Sequence, residues 1–337
     1  MARVHLVHLV HLVPAVPPVP RFLHASLFMA ALACAALPNA QLQAAPKTDL
    51  TLGSTNMTSS HFLVSNAMAK AITQGVPGAK VSHIETGASI DNIRRLGKSE
   101  LDLGLVATDA AITAITGTGP FSGKAVPDLV ALYAYDVSVL NIAVTQDSKV
   151  ASLTDLAGKK FNPGIRGSAA EQLTRQVLTT LGIEPELVPG TVKDATEGIQ
   201  NRQIVGYSKY GPGQGTDATL RELIVTTPMR LLTFTPDQEK KIAGTVKGVA
   251  FSRISNVMTG EPEVRAPTVL ISYATLKSAM DDDTAYAIAK AIHENRQILI
   301  DAWPHLKNFD FKARSLDAEK IGVPLHPGAK RYWQSVN

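Results

Sequence analysis

The sequence predicts an α/β fold made of two units, and three observations carry that expectation. Short apolar strands alternate with amphipathic helices in β-α-β-α-β order from Lys47 onward. That order favours parallel strands joined by helical crossovers. A second alternation of the same kind starts near residue 148. The 337-residue chain is 45% hydrophobic and 18% charged, so it can build a core, and its length suits two domains.

Taken in order, Leu50–Gly53 reads as a short strand that ends in a hydroxyl-rich loop. Val64, Ala67, Met68, Ala71 and Ile72 then share one helical face. Val81 to Glu85 alternates as a strand, and Ser89 stands as the N-cap of a helix carrying Ile90, Ile93 and Leu96. Leu101 to Val106 reads as a strand and Asp109 to Ile115 as a helix. Leu129 to Val144, interrupted by Asp136 and Asn141, reads as buried strands.

In the second unit, Ser152 and Asp155 form a capping box, and Phe161 begins a strand that ends in the turn Asn162-Pro163-Gly164. Ser168 and Glu171 form another capping box before a helix marked by Leu173, Val177 and Leu181. Ala285, Ile288, Ala289, Ile292 and Leu299 mark a long helix closed by Trp303-Pro304.

The N-terminus reads as a targeting segment. No acidic residue precedes Asp49, and Phe22–Leu37 is an apolar stretch flanked by Arg21, too short to span a bilayer. Small residues around Ala44 suit cleavage, so residues 1–44 are expected to be a signal peptide and the protein periplasmic. Cys34, the sole cysteine, has a weakly lipoprotein-like context, which leaves lipidation as an alternative. The repeat Val4–Val13 holds His5, His8 and His11 without an accompanying carboxylate or thiol, so it is a poor metal site. The net charge of +4 falls by two when Arg3 and Arg21 are removed. That leaves no basic field for nucleic acid.

Enzyme motifs fail one by one. The chain has no G-x-S-x-G. His293-Glu294 begins a zinc-protease pattern, but Gln297 takes the second ligand position. Gly119 to Lys124 looks like a P-loop, yet Thr118 and Ala125 replace its first glycine and its magnesium-binding hydroxyl. Gly211-Pro-Gly213-Gln-Gly215 lacks dinucleotide spacing and reads as a loop. Neither catalysis nor a cofactor is expected.

Ligand chemistry concentrates at helix starts instead. The loop from Gly53 to His61 offers Ser54, Thr55, Thr58 and Ser60. Helix N-termini present free N–H groups and partial positive charge, and both favour an anion. The same arrangement recurs at Thr86-Gly87-Ala88-Ser89, with Asn92 one turn in, and at Asn162 to Ser168, where Arg166 could clamp a carboxylate. Tyr207 and Tyr210 are candidates for the cleft wall.

With these residues in view, the chain resembles the TAXI-type solute-binding subunits of TRAP transporters. Four blocks carry the resemblance in order: Gly53–Phe62, Thr86–Ala111, Asp147–Ala169 and Pro324–Trp333. The resemblance implies a two-lobed periplasmic binding protein, type II-like, each lobe a mostly parallel sheet flanked by helices. Lobe 1 would hold residues 46–147 and 266–337, and lobe 2 residues 148–265. It also implies capture of a small organic anion, a dicarboxylate or acidic amino acid, for a sodium-driven TRAP permease. Ser54, Thr55, Thr58 and Ser89 would hold one end of the ligand, Arg166 and Ser168 the other. His61 and Phe62 stand where the family has two tyrosines, and Asn201 to Gly206 departs from its Gly-x-x-Asp-Ala block, so the ligand need not carry over. A ligand-sensing subunit of a membrane sensor kinase is the alternative, since both roles need closing lobes.

Overall fold

The computed structural model describes residues 47–213, 216–255 and 263–336. The expected signal peptide and the repeat with His5, His8, His11 and Cys34 lie outside the described residues. The first half runs β1 (Asp49–Gly53), α1 (Ser60–Gly75), β2 (Lys80–Ile84), α2 (Ser89–Leu96), β3 (Leu103–Ala107), α3 (Thr108–Thr116) and β4 (Leu129–Thr145). There follow β5 (Lys160–Phe161), α4 (Ala169–Leu181), β6 (Glu186–Leu187), α5 (Val192–Gln200), β7 (Gly206–Gly211), α6 (Ala218–Thr226), β8 (Met229–Leu231), α7 (Pro236–Thr245) and β9 (Ala250–Ser255). The chain returns through β10 (Glu263–Leu276) and ends in α8 (Asp282–Glu294), α9 (Arg296–Ala302), α10 (Phe311–Lys320) and α11 (Pro327–Ser335).

The expected parallel core is present at one end, where β1 pairs in parallel with β2 and β3. Elsewhere the main sheet is antiparallel, in the order β2-β1-β3-β10-β4-β7, with β8 on β4 and β9 on β10. The α/β class holds, and the sheet is mixed rather than mostly parallel. The cause is β10, which returns against both β3 and β4.

The stretch Leu129 to Val144 lies in one strand, the 17-residue β4 (Leu129–Thr145), not several. At about 3.3 Å per residue it runs some 55 Å. Its first part pairs with β10, and its last residues pair with β7 and β8. The β10 strand likewise pairs with β3 near one end and with β9 at the other. Two register shifts interrupt the β4–β10 ladder and leave Leu132 and Tyr135 as extra residues on β4. Such bulges bend a strand and sharpen its twist. The remaining pair, β5 and β6, is parallel, and Asn162 bridges to Tyr207 of β7.

Helix α1 buries Val64, Met68, Ala71 and Ile72 and packs on α8 and α9. The long helix expected from Ala285 to Leu299 breaks at Asn295, which leaves helical geometry at φ −99°, ψ 22°. Its side-chain amide donates to the Ala291 carbonyl at 2.9 Å, the local competition with backbone bonding that asparagine offers. The Pro324–Trp333 block fastens the C-terminus to β4. His326 N donates to Ala131 O and Trp333 Nε1 to Leu132 O, both at 2.8 Å.

Candidate functional site

Three helices start at one cavity. It measures ≈ 50 Å³, and its wall includes Thr55, Asn56, Ser59 and His61 from the entry to α1. Ala88 and Ser89 contribute from α2, and Ile165, Ser168, Ala169 and Ala170 from the entry to α4. Ser208, Lys209 and Tyr210 of β7, Leu105 of β3 and Ile271 of β10 complete it. The wall is therefore polar at the helix-start hydroxyls and amides and apolar at Leu105, Ile165, Ile271 and the three alanines.

Each helix start is built differently. Ser59 caps α1, accepting from His61 N at 3.3 Å. Ser168 caps α4, accepting from Glu171 N at 3.1 Å, while Glu171 reaches back to Gly167 N at 2.7 Å instead of the cap itself. The capping box expected there is thus shifted by one residue. Ala88, not Ser89, caps α2 and has no side chain to do so; it sits at φ 69°, ψ −155°. That region suits glycine and is strained for alanine, and such strain gathers at ligand sites. Ser89 is the first helical residue, and its hydroxyl accepts from Ala107 N at 3.0 Å, which ties α2 to the end of β3.

Gly164 has φ 130°, and a Cβ there would lie 2.8 Å from Glu171 N. Glycine is needed for the loop to fold over the start of α4.

Of the eleven residues singled out in the sequence, the cavity brings together Thr55, His61, Ser89, Ser168 and Tyr210. The other six serve elsewhere. Ser54 is buried behind the loop and shares a 2.7 Å hydrogen bond with His83 Nε2. The Asn92 amide donates to Ser54 O and Leu105 O, both at 2.9 Å, and so braces the floor. Thr58 is exposed and Ser60 half-buried outside the wall. Arg166 is exposed and donates weakly to Pro189 O at 3.4 Å. Tyr207 donates to Asp217 Oδ2 at 3.1 Å on the far face of β7.

The sequence reading missed Asn56, Ser59, Ser208 and Lys209. Lys209 contributes to the wall, but its side chain turns to the far face of β7, where the ammonium meets Asp217 Oδ1 at 3.3 Å and Thr219 Oγ1 at 3.0 Å. Asp217 also caps α6. The Ser208 hydroxyl is buried with no hydrogen-bond partner. A buried hydroxyl without a partner is uncommon, and it marks where a ligand group could bond.

His61 offers the cavity no free nitrogen. Nδ1 lies 3.0 Å from the Tyr135 hydroxyl and Nε2 3.2 Å from Ser138 Oγ. Ser138 gives its proton to Asp136 Oδ2, so it accepts from Nε2–H, and Tyr135 donates to Nδ1. Burial lowers the His61 pKa, with the Asp136 charge opposing, so the ring is neutral. Asp136 Oδ1 meets His305 Nε2 at 3.3 Å, off the line of a good hydrogen bond. The carboxylate raises the His305 pKa against partial burial.

The chain belongs to the NMT1-like family, which it matches over residues 52–335. Among solved structures it is similar to PhnD1 from Prochlorococcus marinus in complex with methylphosphonate, at 13% identity and TM-score 0.50, covering 82% of this chain and 97% of that one. It is also similar to the alkanesulfonate-binding protein SsuA from Xanthomonas axonopodis pv. citri bound to MOPS, at 17% identity and TM-score 0.47, covering 86% and 85%. At these identities the likeness is one of fold. Among the described residues no helix is long and apolar enough to cross a membrane, and no three His, Cys, Asp or Glu side chains cluster as a metal site.

Proposed function

We propose that this protein is an extracytoplasmic solute-binding protein that holds a small organic anion reversibly in the cavity and delivers it to a membrane permease. The observation that carries this reading is that three helix starts line one cavity together with Ser208, whose hydroxyl is buried and unpartnered. N–H groups and helix dipoles favour a negative head group there. The dicarboxylate expected from the sequence relied on Arg166 as a second clamp, and Arg166 is not in the wall. Lys209 is already balanced by Asp217. A compact acid with one anionic head and a short apolar tail fits better, the tail lying against Leu105, Ile165 and Ile271.

Each charge-assisted hydrogen bond to the head contributes about 1.5–3 kcal/mol. Three or four of them, less the cost of association, support roughly micromolar affinity, about −8 kcal/mol. The two segment groups, 46–147 with 266–337 and 148–265, act as lobes hinged on β4 and β10. In support, each of these strands pairs with first-lobe strands along one part and second-lobe strands along another. The permease is of the TRAP type, following the resemblance of the four sequence blocks, and the protein works in the periplasm behind its signal peptide.

Thermal unfolding with a panel of pyruvate, lactate, succinate, glutamate, methanesulfonate and methylphosphonate tests this. At 100 times Kd a ligand adds about 2.7 kcal/mol, a shift of several degrees. Short single-headed acids should give the largest shifts. If no anion in a broad panel moves the midpoint, and none is released on denaturing the purified protein, the reading falls.

A further inference from the structure

Outside the sheet and the stretch just after β4, three side-chain hydrogen bonds join the two segment groups among the described residues. All three are made by one short helix, α3. Thr108 Oγ1 donates to Gly248 O at 2.9 Å, Tyr210 OH donates to Asp109 Oδ2 at 3.3 Å, and Gln172 Nε2 donates to Thr113 Oγ1 at 3.2 Å. Thr108 Oγ1 also accepts from Leu270 N at 3.2 Å, so the helix start is tied to β10 as well. Gly248 lies so close that a Cβ would come within 3.1 Å of Asp109 N. The Tyr210 bond is set at the rim, since Tyr210 lines the cavity itself.

Asp109 is the unusual member of the set. It is 1% exposed, and its second oxygen, Oδ1, has no partner. An ionised carboxylate in that position keeps a bare buried oxygen, which is costly. A protonated one carries the hydrogen on that oxygen while Oδ2 still accepts from Tyr210.

We infer that α3 is the latch that holds the lobes closed over the ligand, and that closing the latch binds a proton at Asp109. The proposal rests on the two-lobed binding reading. Opening would withdraw Tyr210 and Gly248, hydrate the carboxylate and release the proton. Burial raises the Asp109 pKa to about 7, against the lowering pull of its hydrogen bonds to Ala110 N and Tyr210. The helix start also favours the charged form, so desolvation outweighs both.

The sign follows from linkage. A carboxyl whose pKa is higher when closed takes up a proton on closing, between its ordinary value and about 7. Closure, and with it ligand affinity, should strengthen as pH falls from 8 to 5, by up to about tenfold per pH unit.

Other charged groups near the latch face away from Asp109. Lys209 turns to Asp217, and Arg94 of α2 stacks over Phe121. Arg175 of α4 and Lys247 flank the outer groove beside Thr113 and Thr116. His61, which burial keeps neutral, and His305 belong to the Asp136 network rather than facing Asp109.

The test reads lobe separation directly, without a ligand. In the full chain carrying Cys34→Ser, spin labels go on Lys98→Cys and Lys193→Cys, both on exposed sites of opposite lobes. The expected result is a shorter separation at pH 5.5 than at pH 8. Asp109→Asn should hold the short separation at both values, and His305→Gln should keep the pH response. An unchanged separation between the two pH values, or an Asp109→Asn protein that responds as the parent does, overturns the inference. If Asp109→Asn does not fold, Tyr210→Phe serves instead. It removes a bond to the carboxylate and should move the response to higher pH, and an unmoved response overturns the inference. A pH-dependent separation in a protein that binds no anion would sink the binding reading and leave the latch standing. An anion that binds with pH-invariant separation does the reverse.

Discussion

Two buried polar networks flank the cavity, and they handle charge in opposite ways. Behind β7, Lys209 and Asp217 form a closed ion pair, with side chains 9% and 5% exposed, completed by Tyr207, Thr219 and the N-cap bond to Leu220. Behind α1, Asp136 is fully buried, yet among the described residues its only cationic partner is His305, whose side chain is 35% exposed. One carboxylate faces a lysine ammonium. The other faces a histidine, a group whose charge depends on pH. A wall can thus be held rigid by a permanent pair or left conditional on a titrating one, and this cavity has one of each.

The largest effect should come from breaking the permanent pair. Asp217→Ala strands the Lys209 ammonium in the interior and removes the α6 cap. Losing one partner of a buried pair costs about 3–5 kcal/mol. Urea unfolding should show that loss, with no change in slope. A cost below about 1 kcal/mol would mean that Lys209 finds water or another partner, and the contrast between the two networks would disappear.

The conditional pair should show itself as a pH effect. The His305 pKa is raised in the folded protein by the neighbouring Asp136 carboxylate, against the pull of burial. A raised histidine adds stability that is full below its unfolded value and lost as pH rises through its folded value. His305→Gln should therefore lose stability relative to the parent at pH 6 and match it near pH 8.5. The side chain is partly solvated, so the difference should be no more than about 1 kcal/mol after screening. Comparing variant with parent cancels His61, His83 and His293, which burial shifts the other way. A difference that stays constant with pH would make His305 a packing residue.

The same contrast explains what could be read from sequence. The elements of the first half were legible because each is local: the α1 face repeats at helical spacing, and β1, β2 and β3 are bounded by loops. The hydroxyl-rich loops at the three helix starts were legible for the same reason, and they do converge on one cavity. What escaped depends on contacts distant in sequence. Nothing near β4 says that Asp136 will face His305, or that β10 will return antiparallel and make the sheet mixed. Ser89 looks like a cap because serine before an apolar helical face usually is one. The end of β3 recruits its hydroxyl, and Ala88 takes the strained position instead. Tyr-Ser-Lys-Tyr in β7 drew attention to its tyrosines, although Tyr207 and Lys209 point to one network while Ser208 and Tyr210 face the other way.

Ser208 belongs to neither network, and that makes it the finest test of the comparison. Its hydroxyl is buried and unpartnered, so removing it deletes no bond that the fold uses. Replacing such a group with a methyl is neutral or stabilising by up to about 1 kcal/mol, because an unmet polar atom no longer has to be kept from water. If the hydroxyl exists for the ligand, Ser208→Ala should keep or raise the melting temperature and weaken anion binding roughly tenfold to a hundredfold, the loss of one charge-assisted hydrogen bond of about 1.5–3 kcal/mol. Opposite signs for stability and affinity are the decisive pattern. Equal losses in both would place Ser208 among the residues that hold the wall together. A gain in stability with no change in affinity would place the anion elsewhere in the cavity, nearer the starts of α1 and α2.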